Sequence, residues 1–343
     1  MTVKTSHIGW YLLLLIGCWQ GAHTARAEGR YAAATLDLGV GARSLALGGA
    51  MVAAYGGNEV FRYNPAGMAF ASRPEVAMMY APTFGTPGAP MASFTWLSGR
   101  VPMPAGGNLS LHWTRFSVDD IPVYPKLRGD SFIDRLENPA LRPDGTVAGS
   151  IRDVEDAIYL SFARPIRTVI PLGWLYTDLP VEIPIGLNVK ILRQSLAQSS
   201  ASGIGVDFGL MMKFSLAHLL DIRRMGEVCL GFSMLDFTRT TLVWNNQKEE
   251  SIRRATLAGV SYRQATGFHN SHLTFFWTFQ EKYDQEHLFG LEFDLARFAL
   301  RCGYNRAGLS AGAGLSWRGL RVDYAFTAVE FEYVHRLGCA FVF

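Results

Sequence analysis

Few residues of the chain have the type and spacing that catalysis needs. Residues 308–312 read Gly-Leu-Ser-Ala-Gly and fit the Gly-x-Ser-x-Gly motif, in which a sharp strand-to-helix turn exposes the serine. Ser310, however, lies in a stretch that alternates apolar and small residues, which predicts a continuous strand. No spacing selects one base among the candidate histidines, which are His112, His269, His272, His287 and His335. We therefore expect no catalytic residue and no enzyme.

Patterns for metals, cofactors and disulfides are equally weak. His269 and His272 are three residues apart beside a turn, a spacing that solvated loop histidines also show. Residues 39–41, Gly-Val-Gly, lack the third glycine and the following helix of a dinucleotide loop. The cysteines beyond the N-terminal segment are odd in number and widely spaced; they are Cys229, Cys302 and Cys339. We expect no metal and no cofactor.

The first residues predict export. Lys4 precedes an apolar stretch at residues 8–17 that is short for a membrane span, and Ala25-Arg26-Ala27 fits a signal-peptidase site. This pattern predicts a signal peptide over residues 1–27 and a mature chain that starts near Glu28. Residues 15–18 also fit a lipobox, in which Cys18 would be lipidated, and the sequence leaves that alternative open.

The composition narrows the class of protein. Hydrophobic residues make up 49% of the chain and charged residues 18%, with 35 glycines and a mean hydropathy of +0.11. After the signal segment, no apolar run reaches the ~18 residues that a membrane helix needs. A β-barrel explains both observations, because only every second residue of its strands faces lipid. The net charge of +3 comes without a basic patch, so we expect no nucleic-acid partner.

Alternating hydrophobicity predicts strands over most of the chain. In residues 308–317 apolar side chains alternate with glycine and serine, and after a turn at Arg318-Gly319 the alternation resumes. Arg321 and Asp323 then share the polar parity, which predicts that both face the lumen. Similar segments occur at residues 183–191, 204–213, 273–280, 289–294 and 297–305, with weaker ones at 75–83, 90–98, 107–117, 155–163, 226–236, 254–263 and 333–343. The sequence predicts an all-β protein, a transmembrane antiparallel β-barrel of about fourteen strands.

The barrel interpretation also predicts which segments are extracellular and which residues lie at the membrane interfaces. The two longest connections, at residues 118–153 and 237–253, are expected to be extracellular because the long loops of bacterial barrels are. Aromatic residues near the segment ends are expected at the membrane interfaces; they are Trp96, Trp113, Trp317, Tyr324 and Tyr333. We therefore expect the protein in the bacterial outer membrane, with membrane lipid as a partner.

A glycine-rich block precedes the first good strand. Residues 36–50 are too rich in small side chains to build a core, and Asn64-Pro65 favours a turn in which Gly67 permits a positive φ. Inside a lumen such a segment is a plug, since protein rather than lipid surrounds it. We assign residues 28–72 to this plug and residues 73–343 to the barrel. The predicted plug or gate residues are Gly39, Gly41, Arg43, Gly48, Gly49, Asn64, Pro65, Ala66 and Gly67.

Motifs in this block and further along resemble those of the PorV/PorQ family of outer-membrane proteins, relatives of the FadL-type fatty acid transporters. In the plug they are Gly39-Val40-Gly41-Ala42-Arg43, Leu47-Gly48-Gly49-Ala50 and Asn64-Pro65-Ala66-Gly67. Downstream they fall in residues 186–190, 201–209, 301–304 and 309–326, so the resemblance covers nearly the whole mature chain. Relatives commonly carry acidic residues shortly before the Asn-Pro-Ala-Gly turn, whereas only Glu59 is acidic in residues 55–59 here.

The last eight residues resemble the C-terminal β-signal that the barrel-assembly machinery reads. Gly338 is followed by Phe341 and Phe343, and these two aromatic residues share the lipid-facing parity of a closing strand. The resemblance implies that the barrel-assembly machinery is a partner and that Gly338, Phe341 and Phe343 form its signal.

The family resemblance implies an accessory of type IX protein secretion that contacts secreted cargo or the translocon, with binding in the outer loops. The alternative is a FadL-like passive route for hydrophobic small molecules such as fatty acids. In that case residues 39–68 form the gate, and a hydrophobic ligand occupies an apolar pocket in the lumen above the Asn-Pro-Ala-Gly turn. Both functions use the same barrel, so the sequence leaves both open.

Overall fold

The computed structural model describes residues 32–86, 89–104, 106–173, 177–268, 270–329 and 332–343. The predicted signal peptide with Cys18, the start of the predicted plug and His269 lie outside the described residues. Seven short helical segments are present in the described ranges. They are the 3₁₀ helices η1 (Ala34–Leu38), η2 (Asn58–Arg62), η3 (Pro65–Phe70) and η4 (Pro139–Leu141), and the α-helices α1 (Ala42–Ala46), α2 (Phe132–Glu137) and α3 (Leu216–Leu220).

Strands make up most of the described chain, as the alternating pattern predicts. They are β1 (Glu75–Thr86), β2 (Ala89–Pro102), β3 (Asn108–Val123), β4 (Gly149–Leu172), β5 (Thr177–Leu196), β6 (Ser199–Ser215), β7 (Glu227–Leu235), β8 (Thr241–Trp244), β9 (Glu249–Ser251), β10 (Ala255–Ala265), β11 (Ser271–Glu281), β12 (Gln285–Leu295), β13 (Phe298–Asn305), β14 (Gly308–Trp317), β15 (Leu320–Val329) and β16 (Glu332–Val342).

All strands except β8 and β9 close into one barrel. Each barrel strand pairs antiparallel with its neighbours, and β1 pairs with β16 to seal the wall. The short hairpin β8–β9 continues the wall where β8 pairs with the first residues of β6. Within the described residues the barrel therefore has fourteen strands, and the predicted fold class and strand count are confirmed. No helix in those ranges is long and apolar enough to cross a membrane.

Neighbouring residues of a strand face opposite sides of the wall. On β13, Leu300 exposes 61% of its surface on the outside, whereas Arg301 beside it is buried in the lumen. Exposed apolar side chains recur around the outer wall; examples are Leu111, Leu160, Val189, Ile204, Phe275, Leu291, Leu309 and Leu337. A continuous apolar exterior is what the lipid of a membrane requires. The opposite arrangement, with the apolar parity packed inward between two sheets, does not occur in the described wall.

The two ends of the barrel differ. The connection from β3 to β4 and the connection from β7 to β10 leave the same end, since an even number of antiparallel strands separates them. We call it the loop end. The opposite end, where β1 begins and Phe343 lies, carries shorter connections and is called the turn end. The long connection predicted at 118–153 is shorter in the structure, because β3 runs on to Val123 and β4 begins at Gly149.

One of the predicted interface aromatics is placed wrongly. Trp96 is only 2% exposed and faces the lumen, where its ring stacks with that of Phe61. Trp317 and Tyr324 are exposed on the outer wall as expected, and Trp113 is half-buried there, whereas the side chain of Tyr333 is outside those described. The alternation of β2 is weak, so its parity could not be fixed without its partner strands.

The lipid-facing wall gives a first prediction. Replacing Leu300 by arginine is expected to lower the free energy of unfolding in bilayers by about 2–4 kcal/mol, because a charge would enter hydrocarbon. The matched control is Leu127→Arg, at a residue that is 60% exposed in the β3–β4 connection beyond the wall. Urea titration of protein folded into phospholipid vesicles measures both. Equal tolerance of the two substitutions would contradict a membrane-embedded wall.

Candidate functional site: the plugged lumen

Residues 32–71 lie in the lumen and are called the plug. Near the loop end, Lys282 Nζ binds both carboxylate oxygens of Asp37, at 2.8 and 2.7 Å, and the Thr35 hydroxyl donates to Glu155 at 2.6 Å. The chain then runs towards the turn end and leaves the lumen where β1 begins at Glu75. The plug therefore passes through the barrel from one end to the other.

The plug touches the wall backbone to backbone. Gly48 has a φ of +63°, and a Cβ there would lie 2.8 Å from the Tyr304 nitrogen. A Cβ on the facing Gly303 would lie 2.2 Å from the Gly48 nitrogen, so neither position has room for a side chain. Wall glycines at which a Cβ would meet a plug atom at less than 3.0 Å are Gly186, Gly209, Gly231, Gly259, Gly303 and Gly312. The plug therefore contacts the wall on the side of the strands that was predicted to be polar.

The Asn-Pro-Ala-Gly turn is fixed by the buried Asn64 side chain. Its Nδ2 donates to the Val52 carbonyl at 2.7 Å and its Oδ1 accepts from Ala66 N at 3.1 Å, which caps η3 with Pro65 at its first position. The expectation of a positive φ at Gly67 is wrong, because η3 is right-handed throughout. Glycine is needed there for space, since a Cβ would lie 2.5 Å from the Ala54 carbonyl oxygen.

The other predicted plug residues also lie against neighbours. A Cβ on Gly39 would lie 2.7 Å from the Tyr63 hydroxyl, and one on Gly41 would lie 2.5 Å from Glu59 Cβ. Gly49 has a φ of +78°, a conformation that glycine adopts readily. All nine predicted residues are brought together in the lumen; their role as a gate stays a prediction.

Buried charges tie the plug to the turn-end half of the wall. Arg43 of the plug donates to both oxygens of Glu292, at 2.8 and 2.7 Å, and Arg301 donates to the same carboxylate at 2.7 Å. Glu59 of the plug lies 3.5 Å from Arg43 and from Arg321. The charge cluster, as we call it, consists of four arginines and four carboxylates: Arg43, Glu59, Glu75, Arg100, Glu292, Arg301, Arg321 and Asp323.

The charge cluster lowers the pKa of the Glu59 carboxyl. Burial alone would raise the pKa of its carboxyl, but the nearby guanidinium groups of Arg321 and Arg43 outweigh burial and lower the pKa. Only Glu59 is acidic among residues 55–59, so a second carboxylate beside it must come from outside that segment. The wall supplies one, since Glu75 accepts from Asn58 N at 3.3 Å and pairs with Arg100 at 2.7 Å. The sequence did not indicate Glu75 as this carboxylate, because Glu75 lies after the Asn-Pro-Ala-Gly turn, on β1.

Strand parity accounts for four of the eight residues of the cluster. Arg321 and Asp323 face the lumen as predicted, with Asp323 bound by Arg301 at 2.6 Å and by Arg321 at 2.9 Å. Glu292 and Arg301 fall on the same polar parity of their strands. Their pairing with Arg43 was not predicted, since Arg43 and Glu292 are 249 residues apart.

A second buried network holds the loop end. Lys190 Nζ bridges Asp207 at 2.7 Å and Asp236 at 2.8 Å, and the Thr240 hydroxyl donates to Asp236 at 2.6 Å. Asn188 donates to the Phe61 carbonyl of the plug at 3.0 Å. Segments 186–190 and 201–209 therefore contact the plug and the start of the 237–253 connection.

The Gly-x-Ser-x-Gly motif does not have the geometry of a nucleophile elbow. Ser310 lies within β14 and its hydroxyl donates to the Ala46 carbonyl at 3.2 Å, so no strand-to-helix turn presents it. No cluster of metal-ligating side chains is found among the described residues.

At the turn end, Gly338 lies against Ala42 of the plug, and the exposed rings of Phe341 and Phe343 meet with centroids 4.9 Å apart.

The close docking of plug and wall leads to a prediction. Gly186→Val would place a side chain 2.3 Å from the Ala66 nitrogen and is expected to displace the turn, making the barrel conduct ions in planar bilayers. Gly99→Val is the control, because a Cβ there has no atom within 4 Å. If the assembled Gly186 variant stays as impermeable as the control, the turn does not seal the lumen.

The charge cluster leads to a prediction about stability. Glu292→Gln removes a buried charge that two arginines share, and it is expected to lower the free energy of unfolding by about 3–5 kcal/mol. The same change at Glu182, which pairs with Arg167 on the exposed part of β4–β5, is expected to have little effect. Guanidinium titrations of the two variants in detergent compare them. Equal losses would mean that the buried pairs do not hold the plug.

No protein-family model matches the chain, and no curated protein matches it. Similar solved structures include the toluene transporter TodX of Pseudomonas putida, with 10% identity and a TM-score of 0.45 over 89% of this chain and 99% of that chain. The toluene transporter TbuX of Ralstonia pickettii has 11% identity and a TM-score of 0.41 over 89% and 97%. The outer membrane protein Omp33 of Acinetobacter baumannii has 10% identity and a TM-score of 0.43 over 80% and 100%.

Proposed function

We propose that the protein resides in the bacterial outer membrane and binds exported proteins at its loop end, as an accessory of type IX secretion. The resemblance to the PorV/PorQ family suggests this role. The observation that carries it is the combination of a filled lumen with a loop end that presents apolar side chains to solvent. A barrel built in this way offers a surface rather than a passage.

The exposed surface is residues 124–148, which we call the arm. Phe132 is 72% exposed, and Ile133 and Leu136 are more than half exposed. All three residues lie in α2. Exposed apolar side chains in a cluster mark interaction sites. The arm therefore has the character of a binding element.

The arm holds its shape through its own hydrogen bonds. Ser131 and Asp134 form a capping box at the start of α2, and Arg142 Nε donates to the Arg135 carbonyl at 3.0 Å. No residue of α2 is buried, so its apolar side chains are exposed to solvent together with its polar ones. Such a preformed helix loses less entropy on binding than a disordered loop would.

The arm provides the test of this function. The double variant Phe132→Asp/Leu136→Asp is expected to leave assembly intact and to reduce, at least tenfold, the surface delivery of cargo that carries a type IX sorting domain. Leu220→Asp is the control, since Leu220 is also half-exposed but lies in α3 at the turn end. Delivery is measured by protease accessibility of the cargo on whole cells. Normal delivery by an assembled arm variant, or a genome without the translocon, would overturn the proposal.

A cavity beside the plug favours a second candidate, the passive route for hydrophobic molecules. It has a volume of about 180 Å³ and lies between η1 and the wall, and its lining combines leucines such as Leu36 and Leu288 with charged side chains such as Lys282. A small hydrocarbon could occupy it, but passage would require the plug to move.

One engineered disulfide separates the two functions. Ala42 and Gly338 place their Cβ positions 3.7 Å apart, which suits a disulfide between plug and β16. In a background without Cys229, Cys302 and Cys339, A42C/G338C protein that has assembled in the outer membrane is expected to deliver cargo equally well when oxidised and when reduced. A passive route predicts instead that oxidation blocks uptake of a labelled fatty acid and that reduction restores it.

A further inference from the structure

The β4–β5 hairpin extends beyond its neighbour β3 at the turn end. β3 begins at Asn108, which pairs with Ala163 of β4. Residues 164–172 of β4 continue to pair with β5, but no described strand pairs with them on the other side. They form an open sheet edge, which we call the free edge.

Prolines show which backbone groups point outward from the free edge. Pro165 of β4 pairs with Pro184 of β5, and since neither residue has an N–H, this is a pair that exchanges no hydrogen bonds. Pro180 of β5 lies opposite Val169 and fits the same alternation. The odd-numbered residues from Pro165 to Pro171 therefore direct their backbone groups away from β5.

The free edge consequently offers a short ladder of hydrogen-bonding groups to solvent. Arg167 and Val169 each present an N–H and a carbonyl oxygen, whereas Pro165 and Pro171 at the two ends present only a carbonyl oxygen. Prolines at a sheet edge limit the pairing of further strands. The open segment therefore suits one short strand.

Apolar side chains beside the free edge are exposed to water. The lipid-facing row of β4 ends at Phe162, because the next residue on the outer side is the exposed Arg164, and a charge is costly inside hydrocarbon. Beyond that arginine, Ile166 is 47% exposed on the outer side and Val169 is 55% exposed on the opposite side. These side chains lie outside the membrane without being covered by protein.

The hairpin is covered on β5 and uncovered on β4. α3 packs against β5, and Leu179 and Val181 of that strand are buried. Ile170 of β4 lies directly opposite Leu179 in the pairing register, yet it is more than a third exposed. The apolar surface therefore continues past the edge of its cover, as expected where a further element docks.

We propose that the free edge binds an extended, acidic segment of a soluble periplasmic protein, which adds an antiparallel strand to β4. A row of backbone donors and acceptors is matched by another extended backbone. The added strand accepts hydrogen bonds from the N–H groups of Arg167 and Val169, and its own N–H groups donate to the carbonyl oxygens of the edge. Its apolar side chains cover Ile166 and Ile170.

The charge of the edge strand favours carboxylates on the partner. Residues 164–172 include Arg164 and Arg167 and no acidic residue, and Arg167 stays largely exposed although it pairs with Glu182 of β5. A second copy of the chain in the same membrane does not fit, because antiparallel pairing of β4 with its copy would invert the barrel of that copy. The assignment depends on the turn end facing the periplasm, and not on the secretion role of the arm.

The first measurement uses the mature protein in nanodiscs, without its native cysteines and with Thr168→Cys at the exposed middle of the free edge. The probe is a seven-residue peptide of alternating valine and threonine with a glutamate at each end. Saturating peptide is expected to slow the reaction of this cysteine with N-ethylmaleimide at least fivefold. Val169→Pro is expected to abolish the slowing, because it removes an N–H of the free edge and none that bonds β5. Val169→Ala, which keeps that N–H, is the matched control.

The second measurement compares cells of the source organism with the purified protein. In cells, the natural partner is expected to slow labelling of Thr168→Cys at least fivefold relative to nanodiscs without peptide, and Val169→Pro is expected to restore the rate. Arg223→Cys places a cysteine at an exposed residue elsewhere at the turn end and is expected to react equally in both settings.

Several results would contradict the proposal. Equal rates for Thr168→Cys in cells and in nanodiscs would overturn it. Equal effects of Val169→Pro and Val169→Ala would overturn strand addition, since the side chain rather than the backbone would then carry the binding. Equal protection by a peptide with lysine ends would overturn the acidic assignment. Protection in nanodiscs without peptide, growing with protein concentration, would replace the soluble partner by a second copy.

Discussion

The lumen of a fourteen-stranded barrel is wider than the side chains of its own wall can fill, and everything inside this protein follows from that. Residues 32–71 fill the space, and they do so in two ways. Where the plug backbone meets the wall backbone, glycines such as Gly303 and Gly186 leave room for it. Where side chains meet, charges removed from water must find partners, and the charge cluster supplies equal numbers of arginines and carboxylates.

Much of this could be predicted from the sequence, because a membrane wall imposes a strict alternation. Parity placed Arg321 and Asp323 in the lumen and Leu300 in lipid without any knowledge of the strand partners. It failed at Trp96, where β2 has apolar residues on both faces. It could not pair Arg43 with Glu292, because no local pattern reports a contact across the lumen between distant parts of the chain.

The glycines show a different limit of sequence reasoning. A glycine after Asn-Pro-Ala suggests a left-handed turn, yet Gly67 is in a right-handed 3₁₀ helix and is small because a carbonyl oxygen lies beside it. A close approach of another chain segment and a positive φ both favour glycine, so the sequence alone does not distinguish the two. Only the position of the neighbouring chain separates them, and that position is a property of the assembled lumen.

The contact between Ala42 and Gly338 bears on the order in which the protein assembles. The plug precedes the whole wall along the chain, but its partners lie on strands as far along as β16. Contacts so distant along the chain form slowly, because the intervening polypeptide must be ordered before they contribute. The plug therefore lacks its wall contacts until the barrel strands have formed around it. A polypeptide truncated before β12 would lack Glu292, the carboxylate that pairs with Arg43.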